Sequence, residues 1–303
     1  MELRYRYNRL RIQRALYVMI IPGLVLTLIY HYGPLFGLAI AFQRYDFARS
    51  IFDQKWVGFA NFTYMFHYPH FWRVVWNTLF IAGMKYVLGL VTPIVVSILL
   101  NEMRHVGVKR VMQTSIYLPH FISWVLVSGI FIEVLSPGSG VVNAVIKAFG
   151  LKPVYFLGEP AIFPYVLVVT DVWKSFGFGT IIYLAALTSV DPNLYEAADI
   201  DGASRFQKIV HISIPGILPI VVLISILNLG HILNAGFEQV FNMYNPAVYS
   251  TGDIIDTLVF RIGIRDFQYD LATATGLFKS GVSLILVSAS YYVAYRYAGY
   301  RIF

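Results

Sequence analysis

Residues 212–235 read ISIPGILPIVVLISILNLGHILNA, an apolar stretch without a single Asp, Glu, Lys or Arg. A helix that crosses the roughly 30 Å hydrocarbon core of a bilayer needs about 20 predominantly apolar residues, so this stretch predicts a membrane-spanning helix. Other stretches of the same character bring the number of predicted spans to six. These stretches are residues 16–36, 72–100, 111–135, 162–187 and 272–295.

The composition of the whole chain also favours a membrane protein. Apolar residues make up 58% of the 303 residues and charged residues 13%, whereas soluble domains are roughly half apolar and a quarter charged. The fold class we predict is therefore all-α, a polytopic membrane protein with six transmembrane helices. No internal repeat or linker divides the chain, so we expect one membrane domain over residues 1–303. The absence of cysteine excludes disulfides and thiolate metal sites.

Lys and Arg collect at the chain ends and in the connections after the second and fourth predicted spans. Positively charged loops stay on the cytoplasmic side of a membrane, so we expect both termini in the cytoplasm, with residues 1–15 as a tail. The long connections 42–71, 136–161 and 236–271 then lie outside. The net charge of +7 follows from this topology and indicates no nucleic-acid partner. The residues that set the pattern are Arg4, Arg6, Arg9, Arg11, Arg14, Arg104, Lys109, Arg110, Arg205, Lys208, Arg296 and Arg301.

The connection between the fourth and fifth spans has a complete set of helix-end signals. Residues 189–207 read SVDPNLYEAADIDGASRFQ. Asp191 suits the N-cap position, the proline after it suits the first helical position, and Gly202 suits a left-handed end. Ser204 and Gln207 have the spacing of a capping box that starts a second helix. The connection is therefore predicted to form a helix, a glycine elbow and another helix.

The first of these two helices could serve as a docking knob. Leu194, Tyr195 and Ile200 offer apolar contacts to something outside the chain, and the small Ala197 and Ala198 permit close approach. The alternative is a surface helix-turn that only connects two spans. The local pattern leaves both interpretations open.

A family resemblance rests on this connection. The run Glu196, Ala197, Ala198, then Gly202, and later Ile212, Ile214 and Pro215, resembles the EAA loop of binding-protein-dependent ABC importer permeases. One departure is isoleucine at position 214, where leucine is usual. The resemblance implies that residues 188–215 couple the chain to an ATPase. The residues to which it assigns this role are Tyr195, Glu196, Ala197, Ala198, Asp199 and Gly202.

The resemblance extends over nearly the whole chain. Residues 117–124 (YLPHFISW), 173–177 (WKSFG) and 276–280 (GLFKS) are similar to the branch that imports oligosaccharides derived from polysaccharides, alginate permeases included. Phe178 stands where many relatives have tryptophan, which leaves the sugar open. Membership implies a single permease domain in the bacterial inner membrane. It also implies a second, different permease subunit, two ATPase subunits, an extracytoplasmic sugar-binding protein and an oligosaccharide substrate.

No cofactor and no catalytic residue are expected in this chain. A phosphate-binding loop needs a Gly-Lys-Ser or Gly-Lys-Thr step, and Phe278 stands where that glycine would precede Lys279 and Ser280. No two histidines are four residues apart, the helical spacing of the His-Glu-x-x-His zinc motif. ATP and magnesium are therefore expected on the partner ATPases, and the chain is expected to be non-catalytic.

Polar residues inside the apolar stretches are candidates for a substrate pathway, because ionisable groups there usually face a cavity or each other. Asp171 and Lys174 are three residues apart, so a structural ion pair is the alternative. Lys85 and Lys279 are expected to hold helices together. For the polar residues of the fifth span, hydrogen bonds between helices are the alternative. The predicted pathway residues are Asp171, Trp173, Lys174, Ser225, Asn228, His231 and Asn234.

Two other functions were compatible with six spans. A polytopic membrane enzyme such as a glycosyltransferase needs paired carboxylates, and the last long connection offers Asp253, Asp256, Asp266 and Asp270. A secondary transporter or channel would leave the docking connection without a purpose.

Overall fold

The computed structural model describes residues 2–230 and 232–298, which are mostly helical. A short antiparallel ladder pairs β1 (Gln43–Arg44) with β2 (Lys55–Trp56). The helices, in chain order, are α1 (Glu2–Thr27), α2 (Ala60–His67), α3 (Phe71–Asn101), α4 (Val106–Tyr117), α5 (Trp124–Val134), α6 (Val141–Ala148), α7 (Phe163–Thr188), α8 (Pro192–Ile200), α9 (Arg205–Lys208), α10 (Ile214–Leu229), α11 (Phe237–Met243), α12 (Tyr249–Gly252), α13 (Ile255–Phe260) and α14 (Tyr269–Ala298).

Shorter helical segments of other types extend some of these helices. The π-helical segments are Leu28–Tyr32, Ile209–Ser213 and Arg261–Arg265. The 3-10 segments are Gly33–Phe42, Ile51–Asp53, Leu118–Phe121 and Pro246–Val248. Helix α6 lies within the long connection predicted over residues 136–161.

The described residues contain five helices long and apolar enough to cross a membrane, or six if one bent pair counts as a single span. The predicted all-α class is thereby confirmed, with five to six candidate spans. The cytoplasmic placement of the termini and the single domain over residues 1–303 stay predictions. The five straight candidates are Leu16–Phe42, Phe71–Asn101, Phe163–Thr188, Arg205–Leu229 and Tyr269–Tyr292.

The third predicted span differs from expectation because it is broken. Its two arms, Val106–Phe121 and Trp124–Val134, meet at 105°. The break follows a 3-10 turn that contains Pro119, and Ser123 has extended backbone angles and accepts a hydrogen bond from the Leu126 N–H at 3.4 Å. A residue that caps a new helix ends the previous one, and hydropathy alone does not register this.

The fifth predicted span ends earlier than expected. Helix α10 stops at Leu229, with Gly230 as its C-cap, and the next helix begins only after Gly236. Gly236 has a φ of 88°, a left-handed conformation that ends any regular continuation. The prediction that this span reaches Ala235 is therefore wrong, and Asn234 lies beyond the helix.

The described chain forms two compact units. Of the described residues, the first unit consists of residues 2–68 and Val259–Leu277. Aromatic edges fill part of this unit, with the Tyr45 ring 5.1 Å from Phe47 and 5.4 Å from Tyr269.

The second unit contains both candidate sites, which are the connection between the fourth and fifth spans and the predicted pathway residues. Of the described residues it consists of 69–230, 232–258 and 278–298, and α3 and α7 pack along each other within it. Its main apolar core is made by Ile81, Ala82, Leu157, Phe163, Val166, Leu167, Ala235, Val240, Met243, Val248 and Ile254.

Candidate functional site

The docking helix α8 begins and ends with the caps that its sequence predicts. The Asp191 carboxylate accepts a hydrogen bond from the backbone N–H two residues later at 3.0 Å. At the other end Gly202 has a φ of 77°. The Ala203 N–H donates to the Ala198 carbonyl at 2.9 Å, and the Gly202 N–H donates to the Asp199 carbonyl at 3.2 Å. These two bonds form a Schellman motif, so the predicted glycine elbow is confirmed.

A second helical segment starts directly after the elbow. The Ser204 N–H donates to the Gln207 side chain at 2.7 Å, and the Gln207 N–H donates to the Ser204 hydroxyl at 3.4 Å. This is the predicted capping box, which satisfies donors that would otherwise lack partners. The segment continues through the π-helical turn Ile209–Ser213 into α10. The elbow therefore joins the docking helix to the fifth span without an intervening loop.

Helix α8 has no buried side chain, so its surface is available to a partner. Glu196 and Ala197 are exposed, and Ala198 is half-buried. The exposed fractions of Leu194 and Ile200 are 51% and 88%. This exposure leaves their side chains accessible to a partner, and the docking role stays a prediction.

A cavity of about 330 Å³, lined by both polar and apolar groups, lies between α3, α7 and the end of α10. Three of the predicted pathway residues, Asp171, Asn228 and Asn234, are brought together in its wall. The complete lining is Ala82, Lys85, Tyr86, Gly89, Pro93, Asp171, Ser175, Gly179, Asn228, Ile232 and Asn234. The asparagine amides and the carboxylate offer both donors and acceptors, which is what recognition of hydroxyl groups requires.

The alternative of an Asp171–Lys174 ion pair is wrong. The Asp171 carboxylate lies 3.5 Å from the ammonium of Lys85 on α3 instead. Lys174 is buried, donates to the His120 carbonyl at 2.9 Å and lies 5.4 Å from the centre of the Trp124 ring. Residues three apart on a helix can pair, but here each finds a partner on a neighbouring segment.

Other predicted pathway residues do not line the cavity. The Trp173 ring packs edge-on against Phe131 at 5.3 Å, and the Ser225 hydroxyl donates to the Val221 carbonyl of its own helix at 2.6 Å. His231 lies outside the described residues. A pathway role for these residues and for Lys174 stays a prediction.

Lys85 is held by groups that the sequence did not reveal as neighbours. Its ammonium donates to the Ala235 carbonyl at 2.7 Å and to the Gln239 side-chain carbonyl. The Gln239 amide in turn donates to the Leu167 carbonyl and the Thr170 hydroxyl, both at 2.7 Å. Lys85 thus fastens α3 to the segment after α10, and Gln239 fastens that segment to α7. The position of Lys85 within an apolar stretch marked it as a candidate in the sequence. Nothing in the sequence marked Gln239, which lies in a long connection.

Lys279 also holds helices together, as expected. Its ammonium donates to both carboxylate oxygens of Asp256, at 2.6 and 2.7 Å. Asp253 is 3% exposed and accepts a hydrogen bond from the Thr257 hydroxyl at 2.8 Å. These two carboxylates serve the packing of the second unit, which does not favour a pair for general acid and base catalysis.

Comparison with known proteins gives matches over almost the full chain. Residues 89–302 match the family model described as "Binding-protein-dependent transport system inner membrane component". The protein LplB of Bacillus subtilis is 40% identical over 288 residues, which cover 95% of this chain and 91% of that protein. The polygalacturonan/rhamnogalacturonan transport system permease protein YteP of the same species is 39% identical over 275 residues, covering 91% and 86%.

Solved structures agree with the sequence matches. A chain of a bacterial ABC transporter involved in the import of the acidic polysaccharide alginate is 38% identical, with a TM-score of 0.88 and coverage of 96% of this chain and 98% of that one. The same transporter type in complex with an alginate pentasaccharide-bound periplasmic protein matches with a TM-score of 0.87. The resemblance drawn from the EAA loop is confirmed: this chain belongs to the family of inner membrane components of binding-protein-dependent transport systems.

Proposed function

We propose that this chain is the permease subunit of an ATP-driven importer that carries an oligosaccharide released from a polysaccharide across the inner membrane. The observation that carries the proposal is the full-length similarity to permeases of alginate and polygalacturonan transport. A match over the whole chain includes the spans that line the pathway as well as the docking loop.

The proposed importer divides the work between subunits. Two ATPase subunits bind ATP and magnesium, a second and different permease completes the pathway, and an extracytoplasmic binding protein delivers the sugar. This chain is then a non-catalytic subunit without a cofactor. With both termini in the cytoplasm, α8 faces the ATPases.

The docking role falls on the exposed side of α8 and on the elbow that follows it. Glu196 and Ala197 are exposed, so an ATPase surface can reach them without unfolding the helix. The small alanines allow close approach of a partner backbone. The residues of the proposed docking surface are Tyr195, Glu196, Ala197, Ala198, Asp199 and Gly202.

Reversal of one exposed charge tests this function. We expect Glu196→Lys to abolish ATP-dependent uptake of labelled alginate- or polygalacturonan-derived oligosaccharides into vesicles that hold the complete assembly. Glu196 is exposed, so the subunit should still fold and insert, because exposed substitutions change stability by only about 0.5 kcal/mol. Co-purification measures the bound ATPase, and Glu159→Lys is the control for an exposed acid elsewhere. Normal assembly and uptake by Glu196→Lys would contradict the proposal, as would uptake without any ATPase.

The cavity supports a place for the sugar within the subunit. Asn228 and Asn234 are exposed in its wall, and neither side chain is hydrogen-bonded within the described part of the chain. We expect Asn228→Ala and Asn234→Ala each to raise the KM for uptake roughly threefold to tenfold, the loss of one hydrogen bond, with basal ATP hydrolysis unchanged. Asn242, which is half-buried and bonds only to its own helix, provides the control Asn242→Ala. Unaltered KM values in both cavity variants would show that the sugar does not bind in this cavity.

A further inference from the structure

A side-chain contact joins the docking helix to the base of the fifth span. The Tyr195 hydroxyl of α8 lies 2.9 Å from the Ser213 hydroxyl, which is the last residue before α10. Ser213 is 2% exposed and Tyr195 is half-buried. This hydrogen bond is therefore partly shielded from water and bypasses the whole elbow between the two helices.

Two more contacts attach α8 at its ends. Before the helix, Val190 packs on Gly216, where an added Cβ would lie 2.7 Å from a Val190 methyl carbon. After the helix, the Asp199 carboxylate pairs with the ammonium of Lys208 at 2.6 Å. The Asp199 side chain is 62% exposed, and exposed ion pairs contribute little. The Tyr195 hydrogen bond is the central attachment of the three.

The covalent route between α8 and α10 turns at a single left-handed glycine. It passes through Gly202, whose left-handed backbone has no atom within 4 Å of a would-be Cβ. A displacement applied to α8 through this route alone could be absorbed by rotation at the elbow. The side-chain contacts connect α8 directly to the chain beyond the elbow and oppose such a rotation.

We propose that Tyr195 and Ser213 are positioning residues that make α8 and α10 move as one rigid body. The proposal rests on the proposed function and adds the route by which motion of the ATPase reaches the pathway. Asn228 of the cavity wall lies on α10. At a rise of 1.5 Å per residue it is about 22 Å along the helix from Ser213. A tilt imposed at the docking surface is thus delivered directly to the cavity.

The test uses the complete assembly in vesicles and measures oligosaccharide imported per ATP hydrolysed. Tyr195→Phe and Ser213→Ala each remove one hydroxyl and little volume. We expect each to lower this ratio roughly threefold to tenfold, the effect of one hydrogen bond. The amount of bound ATPase should stay unchanged in Ser213→Ala, because Ser213 is buried and lies outside the proposed docking surface. The double variant should be no worse than either single one, because both changes remove the same contact. Ser189→Ala is the matched control, since its hydroxyl bonds only within its own helix end.

A second measurement does not depend on the sugar. The chain has no cysteine, so Asn193→Cys on α8 and Leu218→Cys on α10 introduce unique sites for spin labels, with the partners' cysteines replaced. We expect the distance between the labels to stay constant between nucleotide-free and ATP-bound assemblies of the otherwise unaltered chain, and to change in Ser213→Ala.

The outcomes separate the two proposals. A label distance that changes with ATP in the otherwise unaltered chain, or a normal ratio in both hydroxyl variants, overturns the rigid connection and leaves the importer function intact. If the unaltered assembly imports none of the oligosaccharides, the proposed function fails, and the label distance still decides the inference.

Discussion

Gly202 is the residue on which the geometry of the docking loop depends most directly. Its φ of 77° lies in the region that side chains disfavour, and the surrounding space is open. The cost of a side chain at this position is therefore backbone strain alone, without a clash. The size of this strain depends on how well each residue type tolerates the left-handed conformation.

We expect Gly202→Ala to destabilise the elbow by about 1 kcal/mol and Gly202→Asn by less, because asparagine tolerates this conformation better. Gly202→Pro should be the most damaging, since proline fixes φ near −65°. Retention of the ATPase during purification should follow the order glycine, asparagine, alanine, proline. Gly107→Ala in α4, another glycine in open space but with helical angles, should retain the ATPase fully. Equal retention by the unaltered chain and all three Gly202 variants would mean that the elbow does not set the docking geometry.

Residue-scale features were predictable where they are local. The N-cap at Asp191 and the capping box at Ser204 depend on neighbours within three positions, so the sequence reveals them. The partner of Asp171 is Lys85 on another helix, and only the packing of α3 on α7 brings the two together. No spacing rule identifies such a pair.

At the scale of the helices, α4 and α7 approach each other very closely at Gly177. A Cβ at this position would lie 1.9 Å from the Ile116 carbonyl oxygen, which is backbone and cannot rotate away. Glycine at this position lets α7 approach the backbone of α4, and both helices belong to the second unit. Small residues serve close helix contacts in membrane proteins generally.

Gly177→Ala should separate α4 from α7 and lower the free energy of unfolding by roughly 1–3 kcal/mol, the usual cost of overpacking. Thermal unfolding of the purified subunit in detergent measures the change. Gly83→Ala is the matched control in α3, because an added Cβ there meets no atom within 4 Å. An unaltered unfolding temperature in Gly177→Ala would contradict the close approach.

The extent of each helix was predictable only where hydropathy and helix ends coincide. The second and fourth spans were placed within a residue or so of their observed ends, Phe71–Asn101 and Phe163–Thr188. The break near Ser123 and the early end at Leu229 interrupt continuous apolar runs. A hydropathy pattern measures affinity for lipid and is insensitive to a change in chain direction.

At the scale of the whole molecule, the distribution of positive charge predicts which face meets the cytoplasm. We expect alkaline phosphatase, which is active only outside the cytoplasm, to be inactive when fused after residue 298 and active when inserted within residues 136–161. The reason is the retention of arginine-rich segments on the inner side. The reverse pattern of activity would place the docking helix on the wrong face for an ATPase.

The bend in the third span limits what can surround it in the membrane. Helix α5 has 11 residues and rises only about 16 Å, roughly half of the hydrocarbon thickness. The backbone at Ile122 and Ser123 between the two arms is not helical, and Ser123 is exposed in this chain. Acyl chains cannot hydrogen-bond such a backbone. We therefore expect another subunit or trapped water, rather than acyl chains, beside this break wherever it lies within the hydrocarbon core.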